Sequence, residues 1–202
     1  MKKLTRYPSY DVMHEKDTWD DHTQRIVLSR LHTTGDYVFL TTVEAEHLRA
    51  WCSLLVDDER PEIIQFVLDH IDRTLAGGQE SQRKSGEPEA AVLVREGLHA
   101  LDTACQTIHT ERFFHLQPKQ KKQLMLDVSR NQAVPLEVWQ HVPQAALFKK
   151  LLNLTVEAYY SHPEIWSEIG YGGPAYPRGY VRMHPGQLDP WEPKEEKKQH
   201  EA

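Results

Sequence analysis

No apolar run in this sequence exceeds five residues, Ala90 to Val94, against the roughly 20 that a membrane-spanning helix requires. Met1-Lys2-Lys3-Leu4-Thr5-Arg6 is basic, but no hydrophobic stretch follows and no twin arginine is present, so no export leader is expected. Cysteine is scarce. Cys52 and Cys105 lie far apart with no Cys-x-x-Cys spacing, which excludes a disulfide framework or a local zinc motif and suits a reducing compartment. Positive charge is short too: 24 lysines and arginines stand against 30 aspartates and glutamates, with a pI near 6.0. Nucleic-acid binding through bulk charge is therefore not expected. These absences together predict a soluble, cytoplasmic protein.

Apolar residues make up only 39% of the 202 residues, and two stretches account for the shortfall. Residues 77–89 contain no apolar side chain, and 184–202 contain only Leu188, Trp191 and Ala202. The first reads as a flexible loop and the second as a disordered polar tail. What remains has the apolar content of an ordinary folded domain, so a single domain over 37–183 is expected, preceded by an irregular arm over 1–36 with a short helix at Thr23 to Leu31.

Within that domain the apolar spacing is helical. Thr41 and Glu44 form a capping box that opens a helix to Val56. Pro61 starts a second helix, which runs from Glu62 to Ala76. Leu93, Gly97, Leu101, Ala104 and Ile108 form one stripe of a third, Ala90 to His109. Shorter and longer helices follow at Lys119 to Arg130 and Gln144 to Tyr160. The last is apolar on most sides and is predicted to lie centrally. No set of alternating strands is present, so the expected fold class is all-α, a compact domain of about five to six helices.

Candidate chemistry is sparse. Glu44-x-x-His47 and Glu96-x-x-His99 have the spacing with which di-iron helical bundles present ligands to one face. Stepping about 100° per residue, however, Glu96 and His99 fall opposite the apolar stripe of their helix and point at water. Glu44 is in addition claimed by its cap. Gly170-Tyr171-Gly172-Gly173 follows a helix and has Ala175 where a dinucleotide loop needs its third glycine. Asn153-Leu154-Thr155 is a glycosylation sequon inside an apolar helix, and His109, Glu111 and His115 read as a solvated helix end. Cys52 and Cys105 lie on or beside apolar stripes and read as small core residues. Nothing nominates a catalytic, cofactor-binding or metal-ligating residue.

The segment from Glu164 to Met183 is different. Five of the eight tyrosines lie between Tyr159 and Tyr180, interleaved with glycines that let a backbone approach a partner closely. Tyrosine, tryptophan and arginine are enriched where proteins dock. Trp166, Tyr171, Gly172, Gly173, Tyr176, Arg178, Tyr180 and Arg182 are therefore the candidate partner-binding residues. The alternative is a strap that covers the domain's own helices.

Several motifs, in order, resemble the gluconate 2-dehydrogenase subunit 3 family: Phe39-Leu40-Thr41-x-x-Glu44-Ala45-x-x-Leu48, Gly97-Leu98-x-Ala100-Leu101-Asp102 and Phe113-x-x-Leu116-x-Pro118-x-Gln120. So do Phe148-x-x-Leu151-x-x-x-Thr155-x-x-x-Tyr159-Tyr160-Ser161-x-Pro163 and Gly170-Tyr171-Gly172-Gly173. The resemblance covers roughly Phe39 to Met183. It implies a small helical accessory subunit without catalytic residues or cofactor of its own. The implied partner is a large flavoprotein of the glucose–methanol–choline (GMC) oxidoreductase type that carries FAD and oxidises a sugar or alcohol. A cytochrome c subunit completes some such complexes. Many family members begin with a twin-arginine signal where this sequence has Met1-Lys2-Lys3, so the expected location is cytoplasmic, or peripheral to the inner membrane through the complex. The alternatives are an autonomous helical metalloenzyme built around Glu44 and His47, and an interaction protein for an unrelated partner.

Overall fold

The computed structural model describes residues 5–78 and 88–196. Among them there is no strand, and the all-α class holds. Seven α-helices follow in order: α1 (Asp21–Ser29), α2 (Thr42–Val56), α3 (Pro61–Ala76), α4 (Ala90–His109), α5 (Pro118–Ser129), α6 (Gln144–Tyr159) and α7 (Pro163–Ile169). Short 3-10 helices lie at Val12–Thr18 and Phe113–His115. No helix among the described residues is long and apolar enough to cross a membrane. The loop expected over 77–89 lies mostly, from 79 to 87, outside the described residues.

Contacts divide the described chain into two units, one of residues 34–159 and one of 5–33 with 160–196. The larger holds α2 to α6. Thr41 caps α2 through its hydroxyl while Glu44 accepts from the Thr41 amide at 2.8 Å, completing the capping box that its sequence foretold. Helix α6 packs against α2, α3, α4 and α5, the central place its apolar surround predicted, and buries Leu147, Leu151 and Ala158.

Gly97 marks a close approach between α4 and α6. A Cβ there would sit 2.4 Å from Leu147 Cδ1, and Leu147 is itself buried. Alanine would gain about 1 kcal/mol in helix propensity, but the overpacking costs about 1–3 kcal/mol. Gly97→Ala is therefore expected to lower stability by about 1 kcal/mol in urea unfolding.

Residues 34–40 form no strand. Their backbone is instead held by two carboxylates of α3. Asp69 accepts from the Thr34 amide (2.8 Å), and Asp72 accepts from Val38, Phe39 and Leu40 (2.8–2.9 Å).

In the smaller unit, Asp11 caps the first 3-10 helix and Asp20 caps α1. Val12, Trp19, Val27 and Trp166 form its core, with Tyr10 and Met13 packed against them. Helix α7 is the element that raises the count above six. Pro163 starts α7, where its fixed φ suits the first helical position. Gly170 stops α7 with a left-handed φ of 74°.

Residues 184–196 fall within the tail expected to be disordered, yet they carry specific contacts. Asp189 is buried, the Glu196 amide donates to the Arg6 carbonyl at 3.0 Å, and Arg6 pairs with Glu195. Averaging over a strongly charged end concealed the anchoring roles of Asp189 and Trp191. The rest of that expectation, 197–202, lies outside the described residues.

Candidate functional site

The eight candidate partner-binding residues all lie in the smaller unit, and the structure sorts them into two groups. Four are committed inward. Trp166 is buried, its indole N–H donating to the Tyr160 carbonyl at 2.6 Å. Gly172 and Gly173 are places where no side chain fits. A Cβ would lie 2.8 Å from Trp191 Cδ1 at Gly172 and 2.6 Å from Trp19 Cζ2 at Gly173, whose φ is 78°.

Arg178 is the fourth, and its role differs from the sequence expectation. Only 5% of its side chain is exposed. The guanidinium donates to the carbonyls of Gly172 (2.6 Å) and Pro174 (2.9 Å), lies 4.5 Å over the Trp191 ring, and sits 3.8 Å from Glu15. Burial lowers its pKa and Glu15 acts in the opposite direction. A planar group with five donors suits this combination of stacking and carbonyl contacts. Arg178 ties the segment to its own unit and is not presented to a partner.

The other four point outward. Tyr176 and Tyr180 are 68% and 66% exposed and Tyr171 is 42% exposed. The Tyr171 ring meets Trp166 edge-on at 5.4 Å. Arg182 lies over the Tyr180 ring at 5.2 Å and within 3.4 Å of Glu192. The exposed set also includes Val181, Met183 and Leu188. None of these three was among the candidate residues: Val181 and Met183 lay inside the segment but are neither aromatic nor charged, and Leu188 lay past the boundary drawn for the tail. The backbone beneath is fixed: the buried Asp189 carboxylate accepts from the Val181 and Arg182 amides, both at 2.8 Å.

The residues weighed for metal or nucleophilic chemistry lie in the larger unit. Glu44 is engaged by its cap and by Arg95 at 3.1 Å. His47 is buried with Nε2 3.1 Å from Asp102 Oδ1, while Glu96 and His99 are exposed. Burial pulls the His47 pKa below its usual value, opposed by Asp102. Asp102 lies on α4, far along the chain from His47 on α2, and was not foreseen as its neighbour. Among the described residues no three His, Cys, Asp or Glu side chains could hold a metal ion.

Cys52 and Cys105 are both buried, as expected of core residues. Burial pushes each up to about 12, with Asp102 adding to the effect at Cys105, so neither supplies a thiolate near neutrality. Thr155 of the sequon is buried and donates to the Leu151 carbonyl within α6. The Gly170–Gly173 run leaves α7 and enters irregular chain. With no strand before it and no helix after it, it offers a dinucleotide pyrophosphate no helix N-terminus.

A family model described as gluconate 2-dehydrogenase subunit 3 matches residues 43–173. No curated protein and no solved structure gives a match. The matched span ends at Gly173, just before the exposed tyrosines 176 and 180.

Proposed function

The chain belongs to the gluconate 2-dehydrogenase subunit 3 family, and from that membership we propose that it is a non-catalytic accessory subunit. It binds and stabilises a large FAD-dependent, GMC-type dehydrogenase of sugars or alcohols. FAD and the oxidation belong to that partner, and a cytochrome c subunit would complete the assembly.

The observation that supports this reading is the exposed set Tyr176, Tyr180, Val181, Met183 and Leu188 on backbone pinned by Arg178 and Asp189. Large apolar side chains clustered on a surface mark interaction sites. A segment already held in place loses less conformational freedom on docking.

The test is co-expression with an FAD-dependent GMC-type dehydrogenase and measurement of the affinity of the complex. Tyr176→Ala combined with Tyr180→Ala is expected to weaken it by roughly 30-fold or more, the effect of losing about 2 kcal/mol at an aromatic hot spot. Both rings are exposed, so the free chain should melt as before. Unchanged affinity would remove the docking assignment. Arg178→Ala is unsuited to this purpose, because it loosens the segment itself.

A further inference from the structure

Among the described sulfur-bearing side chains, one stands apart. Cys52 and Cys105 are buried. Met125 is 6% exposed, and Met13 packs against the core of Val12, Trp19, Val27 and Trp166. Met183 is 83% exposed, a value that only Val38 equals among the large apolar side chains described.

A thioether reacts with a peroxide in its neutral form, so its rate follows the access of solvent to sulfur, whereas a thiol must first become a thiolate. Burial holds both cysteine thiols up at about 12. Of the described sulfur atoms, that of Met183 is the one a peroxide meets first.

The position of Met183 gives its oxidation a consequence. It belongs to the exposed set with Tyr180, Val181 and Leu188, and with Leu188 it lines an open hollow of about 440 Å³. The backbone beneath it is held: the Met183 amide donates to Gln187 Oε1 at 3.1 Å, and the Gln187 amide donates to the His184 carbonyl at 3.1 Å. A methionine displayed from a fixed turn is an adaptable apolar contact of the kind enriched where proteins dock. One oxygen added to its sulfur makes that contact polar.

We propose that Met183 is a redox modification site that regulates docking: a hydroperoxide converts it to the sulfoxide, and the sulfoxide weakens association with the partner. The sulfur lone pair attacks one peroxide oxygen, the O–O bond breaks and an S–O bond forms. Sulfur gives up two electrons. With hydrogen peroxide, the displaced hydroxide takes the proton from the transferred oxygen and leaves as water. Docking and oxidation oppose each other, because a partner seated on the segment covers the sulfur. The reactivity of Met183 stands on its own exposure, while the consequence for binding rests on the docking reading.

The test treats the full chain, alone, with hydrogen peroxide and follows each methionine by peptide mass spectrometry. Met183 should be converted several times faster than Met13 or Met125. The oxidised chain is then measured against an FAD-dependent GMC-type dehydrogenase. Its affinity should fall about tenfold, the effect of burying one polar group without a partner. Its melting temperature should hold, because the sulfur lies in solvent. Met183→Leu should keep its affinity through the same treatment, and methionine sulfoxide reductases A and B together should restore the wild type. Met183 reacting no faster than Met125, or a loss of affinity that Met183→Leu shares or the reductases leave in place, would overturn the proposal. So would an oxidised chain that binds as before while the Tyr176→Ala, Tyr180→Ala variant binds weakly, and the docking reading would then stand. If neither oxidation nor the tyrosine pair changes the affinity, both readings fall.

Discussion

Replacing Asp72 with alanine is expected to lower stability by about 3 kcal/mol and to release residues 34–40 from α3. The buried carboxylate accepts three consecutive backbone amides, Val38 and Phe39 at 2.9 Å and Leu40 at 2.8 Å. Hydrogen bonds to a charged group contribute about 1.5–3 kcal/mol each, but the three will not add in full. Val38 is 83% exposed and water can replace its partner, whereas Leu40 is 6% exposed and its amide would be left orphaned. Asp72→Asn should cost less, since one oxygen can still serve Phe39 and Leu40 while the amide nitrogen faces the Val38 N–H. Urea unfolding gives the size and order of the two losses. Limited proteolysis within 34–40 reports the release, and equal resistance in wild type and Asp72→Ala would contradict this account of the loop.

Asp58→Ala is expected to cost about 3 kcal/mol or more, the range for removing one partner of a buried ion pair. Arg60 donates to Asp58 through Nη2 at 2.6 Å and Nε at 3.1 Å, and the Tyr159 hydroxyl donates at 2.8 Å. All three residues are buried. Burial alone would raise the Asp58 pKa, but the hydrogen bonds from Arg60 and Tyr159 outweigh it and hold the carboxyl at about 2 instead of 3.8.

A carboxyl so displaced contributes about 2 kcal/mol of stability. Because the folded value is the lower one, that contribution is fully present above 3.8 and is lost as pH falls through about 2. Wild type should therefore lose stability between pH 5 and pH 2 more steeply than Asp58→Asn, as read from urea midpoints across that range. Parallel curves for the two proteins would show that Asp58 is not the titrating group.

These two sites expose the limit of sequence reading here. Asp72 sits in a helix with apolar spacing, and its partners lie 32–34 residues earlier in the chain. Tyr159 and Asp58 are 101 residues apart. No local motif links either set. The Thr41–Glu44 box was legible for the opposite reason: both groups lie within one helical turn, so the spacing alone brings hydroxyl and carboxylate to the free amides. The Gly97 stripe was legible as a buried face as far as Ala104, though Ile108 at its end is exposed, but not that Leu147 would fill the space in front of Gly97.

For the candidate docking segment, composition marked a stretch of chain but not the facing of its side chains. A helix repeats its face every 3.6 residues and so assigns inside and outside from sequence. The chain after Gly170 has no such period. Arg178 and Tyr176 looked alike as docking residues, yet Arg178 lies against Trp191 and the Gly172 carbonyl while Tyr176 stands in solvent.

By itself, then, the sequence determined the helical class, the capping box of α2, the proline start of α3, the buried thiols and the family. Each depends on local spacing or on ordered motifs. Only the tertiary structure decided which strap residues clamp and which are displayed, which carboxylates hold loops, and that residues 184–196 return to the N-terminal arm. Those outcomes depend on groups distant in sequence meeting in space, where burial removes water and leaves each polar group dependent on the partner it finds.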